Sequence, residues 1–166
     1  MTNEEVTQKD GNTQPRGNYQ RAIQEADEFF NVAHDIDGRR ITGFYGLEYL
    51  VPYVVNLSFA CEVYLKAIFI HSNLDYKRIH KLDELFYGLK DNVQTAIKSE
   101  FEEYLKPYGR NLDEFLTNYN NIFQDFRYSF EEKTDRLSIH STCLGAFAHS
   151  LKNYCHNCSK GVVKNE

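Results

Sequence analysis

Three polar residues, Ser58, Glu62 and Lys66, recur at four-residue intervals inside the most apolar stretch of the chain, from about Gly46 to His71. In an α-helix that spacing puts all three side chains on one stripe about 80° wide. On a solvated stripe they form an ordinary i,i+4 Glu-to-Lys pair. Sunk among apolar neighbours, the same pair lines a cleft and requires a hydrogen-bonding partner from another helix, because an unpaired buried charge is costly. The expected partner is Arg127, in the run Phe126-Arg127-Tyr128-Ser129-Phe130-Glu131. It projects about 80° from the centre of its helix's apolar stripe. At that border its stem packs while the guanidinium reaches a carboxylate (Glu62 or Glu131) or a phosphate. His80 sits beside Lys77, Arg78 and Lys81, which together form either an anion-neutralising cluster or a solvated first turn. A histidine near its ordinary pKa of about 6.5 is usable as acid or base.

Cys155-His156-Asn157-Cys158, with His149 upstream, has the residue types of a zinc site. On one helix, however, His149 and His156 face one side while Cys155 and Cys158 turn toward the apolar side, so the four do not converge. With Cys61 and Cys143 on apolar helices, the four cysteines read as reduced thiols. The chain contains no phosphate-cradling glycine loop, nucleophile elbow or paired CxxC elements. No metal or cofactor is expected.

Helices must position these groups, and apolar residues recur at three- and four-residue spacing throughout. The spacing predicts a helix from Asn18 to about Val32, a connector over Asp35–Gly43, and a central helix from about Gly46 to His71 with Pro52 in its first turns. A third helix is predicted over Tyr76–Leu89 and a fourth over Asp91–Leu105, stopped by Pro107 and Gly109. A long helix capped by Asn111 then runs to Phe130, and the last spans Leu137 to about Cys158. No alternating strand pattern of useful length is present. The fold class is therefore all-α, an antiparallel up-and-down bundle of five to six helices.

The 166 residues suffice for one domain, which we place at 18–160. Residues 1–17 and 161–166 are expected to be tails; residues 1–17 in particular carry too little apolar surface to order themselves. A net charge of −5 opposes broad coating of nucleic acid while leaving room for a local basic pocket. No stretch approaches eighteen apolar residues free of charge, and residues 1–18 lack a signal-peptide core. The chain is accordingly expected to be cytoplasmic and without a membrane partner. Twelve tyrosines and twelve phenylalanines exceed what one small bundle readily hides, which points to a homodimer.

The ordered elements Asn56-Leu57-Ser58-Phe59-Ala60-Cys61-Glu62-Val63-Tyr64-Leu65-Lys66-Ala67-Ile68, then His80-Lys81-Leu82-Asp83-Glu84-Leu85, then Phe126-Arg127-Tyr128-Ser129-Phe130-Glu131, resemble bacterial proteins of the HEPN class, the "higher eukaryotes and prokaryotes nucleotide-binding" domains. The resemblance covers roughly residues 20 to 155. It implies a helical bundle, often homodimeric, in toxin–antitoxin, phage-defence or RNA-processing settings. Many active members are metal-independent ribonucleases with an Arg-x(4–6)-His motif. Four to six residues beyond Arg127 lead to Glu132, Lys133 and Thr134, and in Arg136-Leu137-Ser138-Ile139-His140 only three residues intervene, so the motif is not matched.

The resulting expectation is a protein that binds RNA, a nucleotide or a protein partner such as an antitoxin, with Glu62, Lys66, Arg127 and Tyr128 as ligand-binding residues. One alternative is an endoribonuclease with a nonstandard site drawing on Arg127, His80 and Glu131. Another is a non-catalytic structural or dimerisation module.

Overall fold

The computed structural model describes residues 17–42, 49–76, 79–127 and 141–161. Among them are seven α-helices and one 3-10 turn: α1 (Tyr19–Thr42), α2 (Leu50–His71), α3 (Leu82–Tyr87), α4 (Asp91–Leu105), the 3-10 turn Lys106–Tyr108, α5 (Leu112–Tyr119), α6 (Ile122–Arg127) and α7 (Ser141–Ser159). No strand occurs among the described residues, and the architecture is an all-α bundle. Most of the expected tail residues, Tyr128 to His140, and Lys77 and Arg78 lie outside the described residues.

The apolar periodicity of α2 explains its central place. Thirteen of its 22 residues are buried, and it packs against α1, α3, α6 and α7. By length and composition alone, α2 is apolar enough to cross a membrane, yet 72% of its most apolar window is buried inside the bundle. Pro52 falls in its first turn, where a missing amide hydrogen costs nothing.

Helix ends follow local chemistry. The Asn18 side chain accepts the Arg21 amide at 3.1 Å, and Asn111 accepts the Glu114 amide at 2.8 Å, each satisfying one otherwise orphaned donor. Gly109 closes the turn after α4 with φ 58°, a conformation glycine adopts without strain.

Three expectations are corrected. The connector over Asp35–Gly43 is helical as far as Thr42. Ile36 continues the stripe of Ala26, Phe30 and Ala33 against the core, and this packing overrides the weak turn preference of Asp and Gly.

The third helix begins at Leu82 rather than Tyr76. Lys81 is extended (φ −77°, ψ 131°), and the Leu82 amide donates to the carbonyl of Asn120 at 3.2 Å instead of to a preceding turn.

That same bond splits the long penultimate helix. In an unbroken helix the Asn120 carbonyl would accept the Gln124 amide. Here it accepts Leu82, and Gln124 donates to Asn121 at 2.9 Å. The Asn120 side chain also donates to Asp83 at 3.2 Å. One asparagine therefore ties the segment carrying His80 to the junction of α5 and α6.

Candidate functional site

Glu62 is 3% exposed in the middle of α2. Its Oε1 accepts two donors: Lys66 Nζ at 2.6 Å, one turn along the same helix, and His80 Nδ1 at 2.9 Å, from the segment leading into α3. The Lys66 side chain is 19% exposed and that of His80 57%. A buried carboxylate thus orders two nitrogen groups, the second half in solvent. Lys66 Nζ also stands 5.9 Å from the centre of the Tyr76 ring, itself edge-on to Phe69.

Because an ionised carboxylate only accepts, His80 Nδ1 carries the hydrogen in this contact. That assignment leaves Nε2 as the second proton site, a lone pair in the neutral ring and a second donor in the charged one. Ser58, the other member of the stripe, is fully buried and donates to the Val55 carbonyl at 3.1 Å. Its hydroxyl is used within its own helix.

The contact to Glu62 expected from Arg127 is made instead by His80, from the segment before α3. Arg127 ends α6 as an exposed residue, its guanidinium 5.1 Å from the centre of the Phe123 ring. Phe123 packs against Phe59 at 5.5 Å, one turn before Glu62 on α2. Arg127 is therefore joined to α2 through two rings. Tyr128 and Glu131 lie outside the described residues.

Comparison with protein-family models, with curated proteins and with solved structures gives no match. What the site does must be argued from its own geometry.

A second polar cluster was not anticipated. Asp27 of α1 accepts the Tyr64 hydroxyl at 2.5 Å from α2, and from α7 it accepts His156 Nε2 at 2.9 Å and Lys152 Nζ at 3.2 Å. The cluster ties three helices together. The one available signal was Tyr64 itself, since a tyrosine on a buried helix needs a partner for its hydroxyl. Burial pushes the Asp27 carboxyl up, but the hydrogen bonds from Tyr64 and His156 and the nearby Lys152 charge outweigh it. They hold the group below its ordinary value of 3.8.

A carboxylate depressed in the folded state stabilises the fold above its unfolded pKa, and that contribution is lost as pH falls through the folded value. Thermal melts recorded downward from pH 5 should therefore show the wild type losing stability below about pH 4. An Asp27→Asn variant should be less stable at neutral pH and less sensitive to acid; an equally steep acid dependence in the variant would contradict this account.

The four cysteines are free and buried. Burial raises all four thiols above the ordinary value, which suppresses thiolate chemistry. His156 is directed to Asp27, His149 packs on the Phe30 ring, and Cys155 Sγ points to the Tyr64 carbonyl. Among the described residues, no three His, Cys, Asp or Glu side chains converge as a metal cage requires.

Proposed function

We propose that this chain is a HEPN-like helical protein that binds RNA or a nucleotide at the His80 edge of the Glu62–Lys66 pair. The observation that carries the reading is the single Glu62 oxygen holding both Lys66 and His80, with the histidine ring half in solvent. A buried carboxylate on an otherwise apolar helix is costly unless its partners are well placed. Here it orients a ring whose second nitrogen suits a phosphate oxygen. The Arg127 guanidinium lies over Phe123 on the neighbouring α6, while Lys66 is paired with Glu62 and Lys81 with Glu84 at 3.4 Å. The settings implied by the resemblance, toxin–antitoxin and phage defence, make an antitoxin protein the matching partner.

A short fluorescent single-stranded RNA titrated in EDTA should bind, weaken with rising salt, and lose tenfold or more in affinity in His80→Ala. Full-strength binding by that variant would sink the reading.

One observation favours a catalytic version: a histidine anchored through Nδ1 by a buried carboxylate is the arrangement of a general acid–base. Cleavage of the same RNA in EDTA, abolished by both His80→Ala and Arg127→Ala, would move the assignment to an endoribonuclease.

Self-association is part of the proposal. Every described phenylalanine is buried or half-buried, so the exposed large apolar side chains among the described residues are valines and tyrosines, Val32 on α1 and Tyr49 and Val51 at the start of α2 among them. Sedimentation at micromolar concentration should show a dimer.

A further inference from the structure

An open cleft of about 760 Å³ runs between α1 and the last turn of α7. It lies at the Asp27 cluster, and none of its described lining residues comes from α2 or from the segment bearing His80. It is a different place from the site proposed above.

The α1 wall follows from residue spacing. Gln20, Gln24, Asp27 and Asn31 fall within about 60° of one another on a helix, and all four line the cleft, with Arg21 and Glu28 on the adjoining edge. His156 completes the wall from α7.

Only one nitrogen of the His156 ring is engaged. Nε2 stands 2.9 Å from Asp27 Oδ2, and because an ionised carboxylate only accepts, Nε2 carries the hydrogen. Nδ1 is then the lone-pair nitrogen of the neutral ring. No group among the described residues is bonded to it, and the side chain is 38% exposed. Asp27 is fixed in turn by the Tyr64 hydroxyl at 2.5 Å and by Lys152 Nζ at 3.2 Å. A nitrogen nucleophile whose ring is held by a group that is itself held is the arrangement that prepares a side chain for covalent chemistry.

The charges around the cleft admit an anion. Lys152 offsets Asp27, and Glu28 accepts the Gln24 amide at 3.4 Å. No carboxylate among the described residues pairs with the Arg21 guanidinium. Two cations, Arg21 and Lys152, therefore stand against two carboxylates. The side-chain amides of Gln20 and Asn31 add N–H donors along the same wall.

We propose that His156 is a phosphoacceptor whose Nδ1 takes a phosphoryl group from a small phosphoramidate donor admitted by this cleft, with Asp27 as a positioning residue and Arg21 on the phosphoryl oxygens. The Nδ1 lone pair forms the new N–P bond as the donor's own N–P bond breaks. The donor's nitrogen is already protonated in its zwitterionic form, so it leaves as ammonia and takes no proton from the protein. The ring gains positive charge in this step and keeps its Nε2 hydrogen, which Asp27 accepts in a charge-assisted bond.

The test treats the isotopically labelled full chain with potassium phosphoramidate at neutral pH, and phosphorus NMR with fragment mass spectrometry identifies the residue and the ring nitrogen modified. His34 is the internal reference, exposed on α1 with no carboxylate held to its ring among the described residues. His156 should be modified at Nδ1, with an initial rate at least tenfold above that of His34. Arg21→Ala should slow His156 about fivefold and leave His34 unchanged. Asp27→Asn should bring the His156 rate close to that of His34 and spread the label onto Nε2, a change of isomer that a loss of stability alone does not produce. The proposal is overturned if His156 reacts no faster than His34, if the wild-type label sits on Nε2, or if Arg21→Ala leaves the ratio of the two rates unchanged. These three results decide the matter even where Asp27→Asn does not fold. His80, whose Nδ1 is held by Glu62, can take a label only on Nε2, so none of these outcomes depends on RNA binding there.

Discussion

Replacing Glu62 with alanine is expected to destabilise the protein by about 2–3 kcal/mol and lower its melting temperature by about 5–10 °C. The cost of breaking a buried ion pair is about 3–5 kcal/mol. It is reduced because the stranded partners are not fully enclosed: the Lys66 side chain is 19% exposed and that of His80 57%. RNA affinity should fall at the same time, since His80 loses the group that orients it.

A double variant separates the two effects. Glu62→Met with Lys66→Met replaces the pair by apolar side chains of similar length, a change that is often neutral or stabilising when charges are buried. It should melt within a few degrees of the wild type while losing RNA binding. If the double variant is stable and binds RNA normally, the pair is only a scaffold and the proposed site does not exist.

Phe147→Ala should have the largest effect on stability, about 3–5 kcal/mol, as expected for truncating a fully buried aromatic. Phe147 is 0% exposed, with its ring 6.0 Å from Phe115, 6.1 Å from Phe86 and 6.5 Å from Phe101. It therefore joins α7 to α3, α4 and α5. Against a typical total of about 5–15 kcal/mol, the loss is a large fraction of what keeps the chain folded. Urea unfolding should show a lower midpoint with an unchanged slope. A loss below about 1 kcal/mol would mean that the four helices do not share one core. Because Phe86 belongs to the helix that follows His80, RNA affinity should fall modestly, and less than in His80→Ala.

How much of this was readable from residue order depends on the range of the forces involved. The N-caps at Asn18 and Asn111, the stop at Gly109 and the apolar circumference of α2 are local: each is set by a side chain and the few residues around it. Periodicity therefore located the core helices and the all-α class, and it placed Glu62 and Lys66 on one stripe. It failed where a backbone group found a distant partner. The carbonyl of Asn120 accepts the amide of Leu82 across 38 positions of chain, and that one contact shortens α3, divides the helix after Asn111 and sets the segment bearing His80.

The same limit explains the site. That Glu62 requires a partner follows from its own surroundings in the chain, because charge among apolar neighbours must be compensated. Which partner it has, His80, and the meeting of Asp27 with Tyr64, Lys152 and His156, were decided only by the assembled fold. Helical pattern determines which face each element buries, but it carries no information about which elements become neighbours. Only the packing of whole helices supplies that.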